Sequence, residues 1–120
     1  MEVTVVEALD GAPAIVALRG QLDVDSARPL EAALADLRKR SVTRIVLDLS
    51  ELAFCDSTGL SALVVAHTSL SAVGGFVRLA APTPFLIRVL TVVGLLGRIP
   101  VYETVQAACA GDANALMSAA

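Results

Sequence analysis

The sequence has 120 residues, 9 Lys and Arg against 12 Asp and Glu, and 56% hydrophobic residues, which suits one compact domain with an apolar core. Only 3% of the residues are aromatic and the net charge is −3, so we exclude the basic, base-stacking surface of a nucleic-acid-binding protein. Two cysteines and one histidine, widely spaced, do not form a zinc site, and we expect no metal or cofactor.

The N-terminal segments predict a β-hairpin. Residues 3–8 and 14–19 have the β-branched, alternating character of strands. They are joined by residues 9–13, in which the Asp10–Gly11 step is a strong turn signal. We therefore expect two neighbouring antiparallel strands.

The next segments predict a helix and a central strand. Apolar residues recur at i, i+3, i+4 and i+7 from Leu30, and Asp25 or Ser26 is placed to cap that helix. Residues 44–49 are nearly all apolar, as expected for a strand that is covered on its faces. We expect a loop over residues 50–55, so that residues 48–58 lie at the carboxyl edge of the sheet, where functional residues often lie.

The second half continues the alternation of helices and strands. The predicted elements are a helix from 56–58 to before 74–75, a strand at 76–80, a helix from 83–84 to 94, a strand at 99–102 and a helix from 104. This order predicts an α/β sandwich whose sheet is at least partly parallel. We assign residues 1–110 to the domain; residues 111–120 either extend the last helix or fray.

Residues 57–77 carry no formal charge and are long enough to span a bilayer as a helix. Several hydroxyl side chains and the Gly74–Gly75 pair interrupt this stretch, however, so we expect no membrane-inserted segment. The N-terminus lacks the basic and apolar regions of a signal peptide, and we therefore expect a cytoplasmic protein.

Ser57 lies at a predicted strand-to-helix turn, which is also where hydrolases carry a nucleophilic serine. The first glycine of that motif is replaced by Cys55, and His67 lies about 15 Å further along the helix. Cys55 itself precedes a helix N-terminus, but acidic neighbours such as Asp56 oppose thiolate formation. We therefore expect no catalytic residue and no enzymatic activity.

What remains is a hydroxyl at a helix N-terminus, without local groups to activate it. Backbone N–H groups at such a position stabilise an anion, so a partner could phosphorylate Ser57 without unfolding the domain. The alternative is that Ser57 and Thr58 are simply helix caps.

Four segments of the chain resemble the STAS domain of bacterial anti-sigma factor antagonists. These are residues 18–23, 47–60, 74–79 and 89–95, and the second contains the sequence Asp56-Ser57-Thr58-Gly59-Leu60. The resemblance implies a single-domain α/β fold, with a mixed β-sheet, an N-terminal β-hairpin and helices packed mainly on one side.

The resemblance also implies partner switching. The unphosphorylated antagonist binds an anti-sigma factor with a histidine-kinase-like ATPase fold, which frees the sigma factor for transcription. That anti-sigma factor then phosphorylates the serine, here Ser57, and a separate serine phosphatase reverses the modification. The residues that correspond to the partner-binding positions are Asp23, Asp56, Ser57, Thr58 and Gly59.

A second reading keeps the STAS fold but changes the partner. The chain would then be a subunit of a membrane transport complex and would bind the ATPase or the permease without being phosphorylated. In that case Ser57 would cap a helix that packs on the transporter. The high apolar content is compatible with a homodimer, an apolar ligand or docking on a larger assembly, and the oligomeric state stays open.

Overall fold

The computed structural model describes residues 1–7 and 11–117. The strands are β1 (Glu2–Val6), β2 (Ala14–Leu22), β3 (Arg44–Cys55), β4 (Phe76–Ala80) and β5 (Val101–Tyr102). The helices are α1 (Ala27–Lys39), α2 (Ser57–Ser71), α3 (Pro84–Val92) and α4 (Val105–Ala110), followed by a 3-10 turn at Ala113–Ala115. Within the described ranges, no helix is both long and apolar enough to cross a membrane.

The strands form one mixed sheet in the order β1-β2-β3-β4-β5. β1 is antiparallel to β2, and the other three pairs are parallel. The predicted hairpin and the partly parallel sheet are therefore confirmed. The predicted turn at residues 9–13 lies in part outside the described residues.

Three helices cover one face of the sheet. The main core joins α1, α2 and α3 to alternate strand residues, as represented by Leu30, Leu63, Leu90, Val16 and Leu47. A smaller core on the other face joins α4 to Val46, Ala80 and Tyr102, among others. Because successive side chains of a strand point to opposite faces, Val46 and Leu47 serve the two different cores. The helices thus lie mainly on one side, as the resemblance implied.

The predicted loop at residues 50–55 is wrong, because β3 continues through it to Cys55. β4 pairs with β3 only as far as Asp48. β2 remains paired with β3 to its end, where Leu22 is the partner of Cys55. Two register shifts in the β2–β3 pairing break the period of two, so buried residues recur three apart at Leu49, Leu52 and Cys55. Because its apolar and polar residues do not alternate, the sequence of this segment resembles that of a loop. Asp48 therefore lies inside the strand and not at the carboxyl edge.

The C-terminal segment packs beside β5. α4 ends before Gly111, which adopts a left-handed conformation with φ of 66°. Beyond the 3-10 turn, the Met117 N–H donates to the Val101 carbonyl at an N–O distance of 2.7 Å. The division of the chain at residue 110 stays a prediction.

Arg78 connects β4 to α4. Its guanidinium carbon lies 3.8 Å from the centre of the Phe76 ring and 5.8 Å from that of Tyr102. Its Nη1 donates to the Ala108 carbonyl in the last turn of α4 at 2.8 Å. A cation at this end of a helix also complements the helix dipole, so Arg78 holds α4 against the sheet.

We expect Arg78→Met to lower the free energy of unfolding by about 1 to 3 kcal/mol, because it removes a charged hydrogen bond and the cation–π contacts. Urea unfolding followed by circular dichroism measures the change. Arg98 is exposed, so Arg98→Met is the control and should stay within about 0.5 kcal/mol of the parent. Equal losses in the two variants would contradict this role of Arg78.

Candidate partner-binding site

The junction of β3 and α2 presents Ser57 to solvent. Asp56 is the N-cap of α2, and its carboxylate Oδ1 accepts the Gly59 N–H at 2.9 Å. Ser57 and Thr58 are the first two residues of the helix, and both are exposed. The cap is therefore supplied by Asp56, and the hydroxyl of Ser57 is accessible to another protein.

The end of β2 lies against this junction. Leu22 is the register partner of Cys55, and its carbonyl accepts the Asp56 N–H at an N–O distance of 3.2 Å. This hydrogen bond places the segment after β2, which begins with Asp23, beside the start of α2. Two segments distant in sequence thus form one surface at the carboxyl ends of β2 and β3.

Asp23 shapes the turn between β2 and α1. Its Oδ1 accepts the backbone N–H groups of Asp25 and Ser26 at 3.0 and 3.1 Å, and lies 2.8 Å from the Ser26 hydroxyl oxygen. Carboxylates commonly organise turns in this way. Asp25 and Ser26 were the two predicted N-caps of α1, and Ser26 occupies that position. Its side chain makes no capping hydrogen bond. Asp23 therefore has a structural role whether or not it meets a partner.

Gly59 allows α2 to approach β2 closely. A Cβ atom at this position would lie 2.5 Å from the Leu22 carbonyl oxygen and 2.8 Å from the Cys55 sulfur. Real Cβ contacts are not this short, so any side chain here displaces the first turn of α2 from the sheet. Gly59 is thus required for the geometry of the site, and it is itself buried.

Cys55 and His67 are structural residues. Burial, and secondly the negative charge of Asp56, raise the pKa of the Cys55 thiol to about 12. His67 lies on α2 with its Nδ1 3.1 Å from the Val77 carbonyl oxygen of β4, so it is engaged away from Ser57. The single histidine is therefore engaged at β4, and the raised pKa keeps the Cys55 thiol protonated at neutral pH.

The structure shows an exposed aromatic pair that the sequence analysis did not predict. The rings of Phe54, near the end of β3, and Phe85, in the first turn of α3, stack with centroids 6.2 Å apart. Each residue is 39% exposed. Phe54 fell in the predicted loop, and its contact with Phe85 spans a long sequence separation. The one feature of the sequence that could have drawn attention to these two residues is the small number of aromatic residues.

Comparison with known proteins identifies the family. The family model for the STAS domain matches residues 4–108, which is most of the chain. The protein belongs to the STAS domain family. This result confirms the resemblance found in the sequence.

Relatives of this STAS protein carry functional names. BtrV of Bordetella bronchiseptica, named as an anti-sigma factor antagonist, is 32% identical over 85% of this chain and 88% of its own. An anti-sigma factor antagonist from Mycobacterium paratuberculosis is 26% identical, with a TM-score of 0.77 over 92% of this chain and 93% of that one. The anti-sigma factor antagonist SpoIIAA, a Bacillus protein solved in its unphosphorylated form, is 25% identical, with a TM-score of 0.60 over 73% and 80%.

We expect Gly59→Ala to destabilise the protein by about 1 to 3 kcal/mol, because the added methyl group meets the Leu22 carbonyl and the Cys55 sulfur. The expected change in stability is opposite in sign to the usual effect of Gly→Ala within a helix, which stabilises by about 1 kcal/mol. Chemical denaturation measures it. The exposed neighbour gives the control, Ser61→Ala, which should stay within about 0.5 kcal/mol of the parent. A stabilised Gly59→Ala variant would disprove the close approach.

The thiol pKa gives a prediction about pH. At pH 8, a pKa of about 12 leaves about one Cys55 thiol in ten thousand ionised. In a Cys109→Ala background, we expect iodoacetamide to label Cys55 more than about 100-fold more slowly in the native state than in urea. Because folding raises this pKa above its ordinary value of 9.0, the stability that the neutral thiol contributes is complete below pH 9 and decreases as the pH rises towards 12. Native labelling as fast as in urea would instead indicate a reactive cysteine.

Proposed function

We propose that this STAS protein is a cytoplasmic anti-sigma factor antagonist that is switched off by phosphorylation of Ser57. The observation that carries the proposal is the exposed hydroxyl of Ser57 at the first position of α2, immediately after the capping Asp56. The names of BtrV and of the Mycobacterium and Bacillus proteins support the assignment. The unphosphorylated form binds an anti-sigma factor, and the sigma factor is thereby released.

The start of α2 suits a phosphoryl group. The first N–H groups of a helix have no acceptor within the helix, and here Asp56 satisfies that of Gly59. The N–H groups of Ser57 and Thr58 lie at the N-terminal end of α2, where the helix dipole favours negative charge. Phosphorylation of Ser57 is therefore compatible with the folded domain, and the modified protein remains ready for dephosphorylation by a serine phosphatase.

The same modification disfavours the complex. A phosphate adds about 1.5 to 2 negative charges beside Asp56, in a surface that had presented a neutral hydroxyl to its partner. Desolvation and repulsion of that charge within an interface cost several kcal/mol, and about 3 to 4 kcal/mol weakens binding several hundred-fold. A single hydroxyl can therefore control the association. The partner is an anti-sigma factor with a histidine-kinase-like ATPase fold, which is also the kinase.

We expect Ser57→Ala to bind the anti-sigma factor irrespective of ATP, and Ser57→Asp to bind it at least about 100-fold more weakly. The protein is incubated with ATP and each histidine-kinase-like anti-sigma factor of the source genome, and is then examined by intact-mass and fragment mass spectrometry. One phosphoryl group on Ser57, missing from Ser57→Ala, is the expected result. Ser71→Ala is the control, because it removes an exposed hydroxyl at the opposite end of α2 and should leave the phosphorylation intact.

Tight binding by Ser57→Asp would refute the charge mechanism. A protein that no such kinase binds or modifies, and that copurifies with transporter subunits, would refute the antagonist function itself. The chain would then be a STAS subunit of a transport complex, in which Ser57 serves only as a helix residue at the interface.

A further inference from the structure

Two phenylalanines are exposed, one near the end of β3 and one in the first turn of α3. Phe54 and Phe85 are each 39% exposed, and their rings stack with an interplanar angle of 26°. The other two aromatic side chains, Phe76 and Tyr102, lie against the Arg78 guanidinium. A stacked pair is a rigid apolar surface, and aromatic residues are enriched among those that dominate binding energy at interfaces.

The apolar surface continues along α3. A shallow cavity of about 280 Å³ is lined by Phe85, Val89, Val92 and Val93, with Arg88 at its border. Val92 is 85% exposed and Val93 is 49% exposed. The aromatic pair is therefore one end of a larger apolar patch, which begins next to the β3–α2 junction.

The pair lies within reach of a protein bound at Ser57. The Cα atoms of Phe54 and Ser57 are three residues apart and so at most about 11 Å from each other. The Phe85 ring lies 6.2 Å from the Phe54 ring. A standard interface covers about 800 Å² on each partner, which corresponds to a disc of about 16 Å radius. With about 4 Å from a Cα atom to its ring centre, both rings lie within about 21 Å of Ser57, so an interface about 32 Å across that includes Ser57 can also include both rings.

We infer that the pair formed by Phe54 and Phe85 is the apolar anchor of the anti-sigma factor complex. The inference rests on the proposed function and adds a division of roles: the aromatic pair supplies affinity in both phosphorylation states, and Ser57 supplies the switch. The matching surface of the anti-sigma factor is a shallow apolar pocket with basic side chains opposite Asp56, which lies two residues from Phe54, and acidic side chains opposite Arg88.

The test uses the full chain with Ser57→Ala, so that phosphorylation cannot alter affinity. Phe54→Thr and Phe85→Gln are added to this background, since Thr suits a strand and Gln suits a helix. Isothermal titration calorimetry is performed against each histidine-kinase-like anti-sigma factor of the source genome. We expect the Kd of the double variant to rise about 30-fold or more. The control is Val6→Thr on the edge strand β1, where Val6 is 55% exposed, and its Kd should change less than about two-fold.

Circular dichroism melting verifies that each variant is folded, and Phe85→Gln alone is used if the double variant is not. Affinity equal to that of the Ser57→Ala protein would overturn the anchor and leave the proposed function standing. Loss of self-association in sedimentation, with unchanged affinity for the kinase, would assign the pair to a homodimer and also overturn it. If the Ser57→Ala protein binds none of the kinases, the proposed function fails and the anchor with it.

Discussion

The close approach of α2 to the end of β2 determines the geometry of the site. The first turn of α2 lies against the Leu22 carbonyl, which is possible because Gly59 has no side chain. That carbonyl also accepts the Asp56 N–H, so the ends of β2 and β3 and the start of α2 are held as one unit. Asp56 then caps the helix from within this unit. Ser57, the next residue, is left on the outer surface with a fixed orientation of its backbone.

The aliphatic composition assigns the aromatic side chains to places outside the main core. Both cores are built almost wholly from Leu, Val, Ile and Ala, with Tyr102 the exception in the smaller one. Aliphatic side chains fill the space between a twisted sheet and its helices without needing hydrogen-bond partners. The aromatic residues therefore make other contacts. Phe76 and Tyr102 hold Arg78, and Phe54 and Phe85 form the stacked pair near Ser57.

Local patterns in the sequence predicted most of the elements, because capping residues, turn glycines and apolar periodicity act over a few residues. Thr83 caps α3 and Thr104 caps α4, each where the sequence placed a helix start. The end of β3 was missed, since its register shifts depend on pairing with β2. Local capping patterns placed Asp56, Ser57 and Thr58 at a helix start, whereas Asp23 and Gly59 were named only through the resemblance to the STAS domain. The stacking of Phe54 on Phe85 was not predicted, because it depends on the tertiary fold.

For the phosphorylation of Ser57 that we propose, the structure favours an electrostatic effect over a conformational one. Phosphorylation changes a conformation when the phosphate gains hydrogen bonds that the free protein lacks, or when it breaks existing ones. Here the capping bond to Gly59 comes from Asp56, and the helix start is anchored through Leu22, so neither depends on the Ser57 hydroxyl. A phosphate on Ser57 would therefore leave these two hydrogen bonds in place, and its charge would act mainly on the affinity for the partner. The proposed antagonist would thus keep the same surface geometry and change only the charge at one point of it.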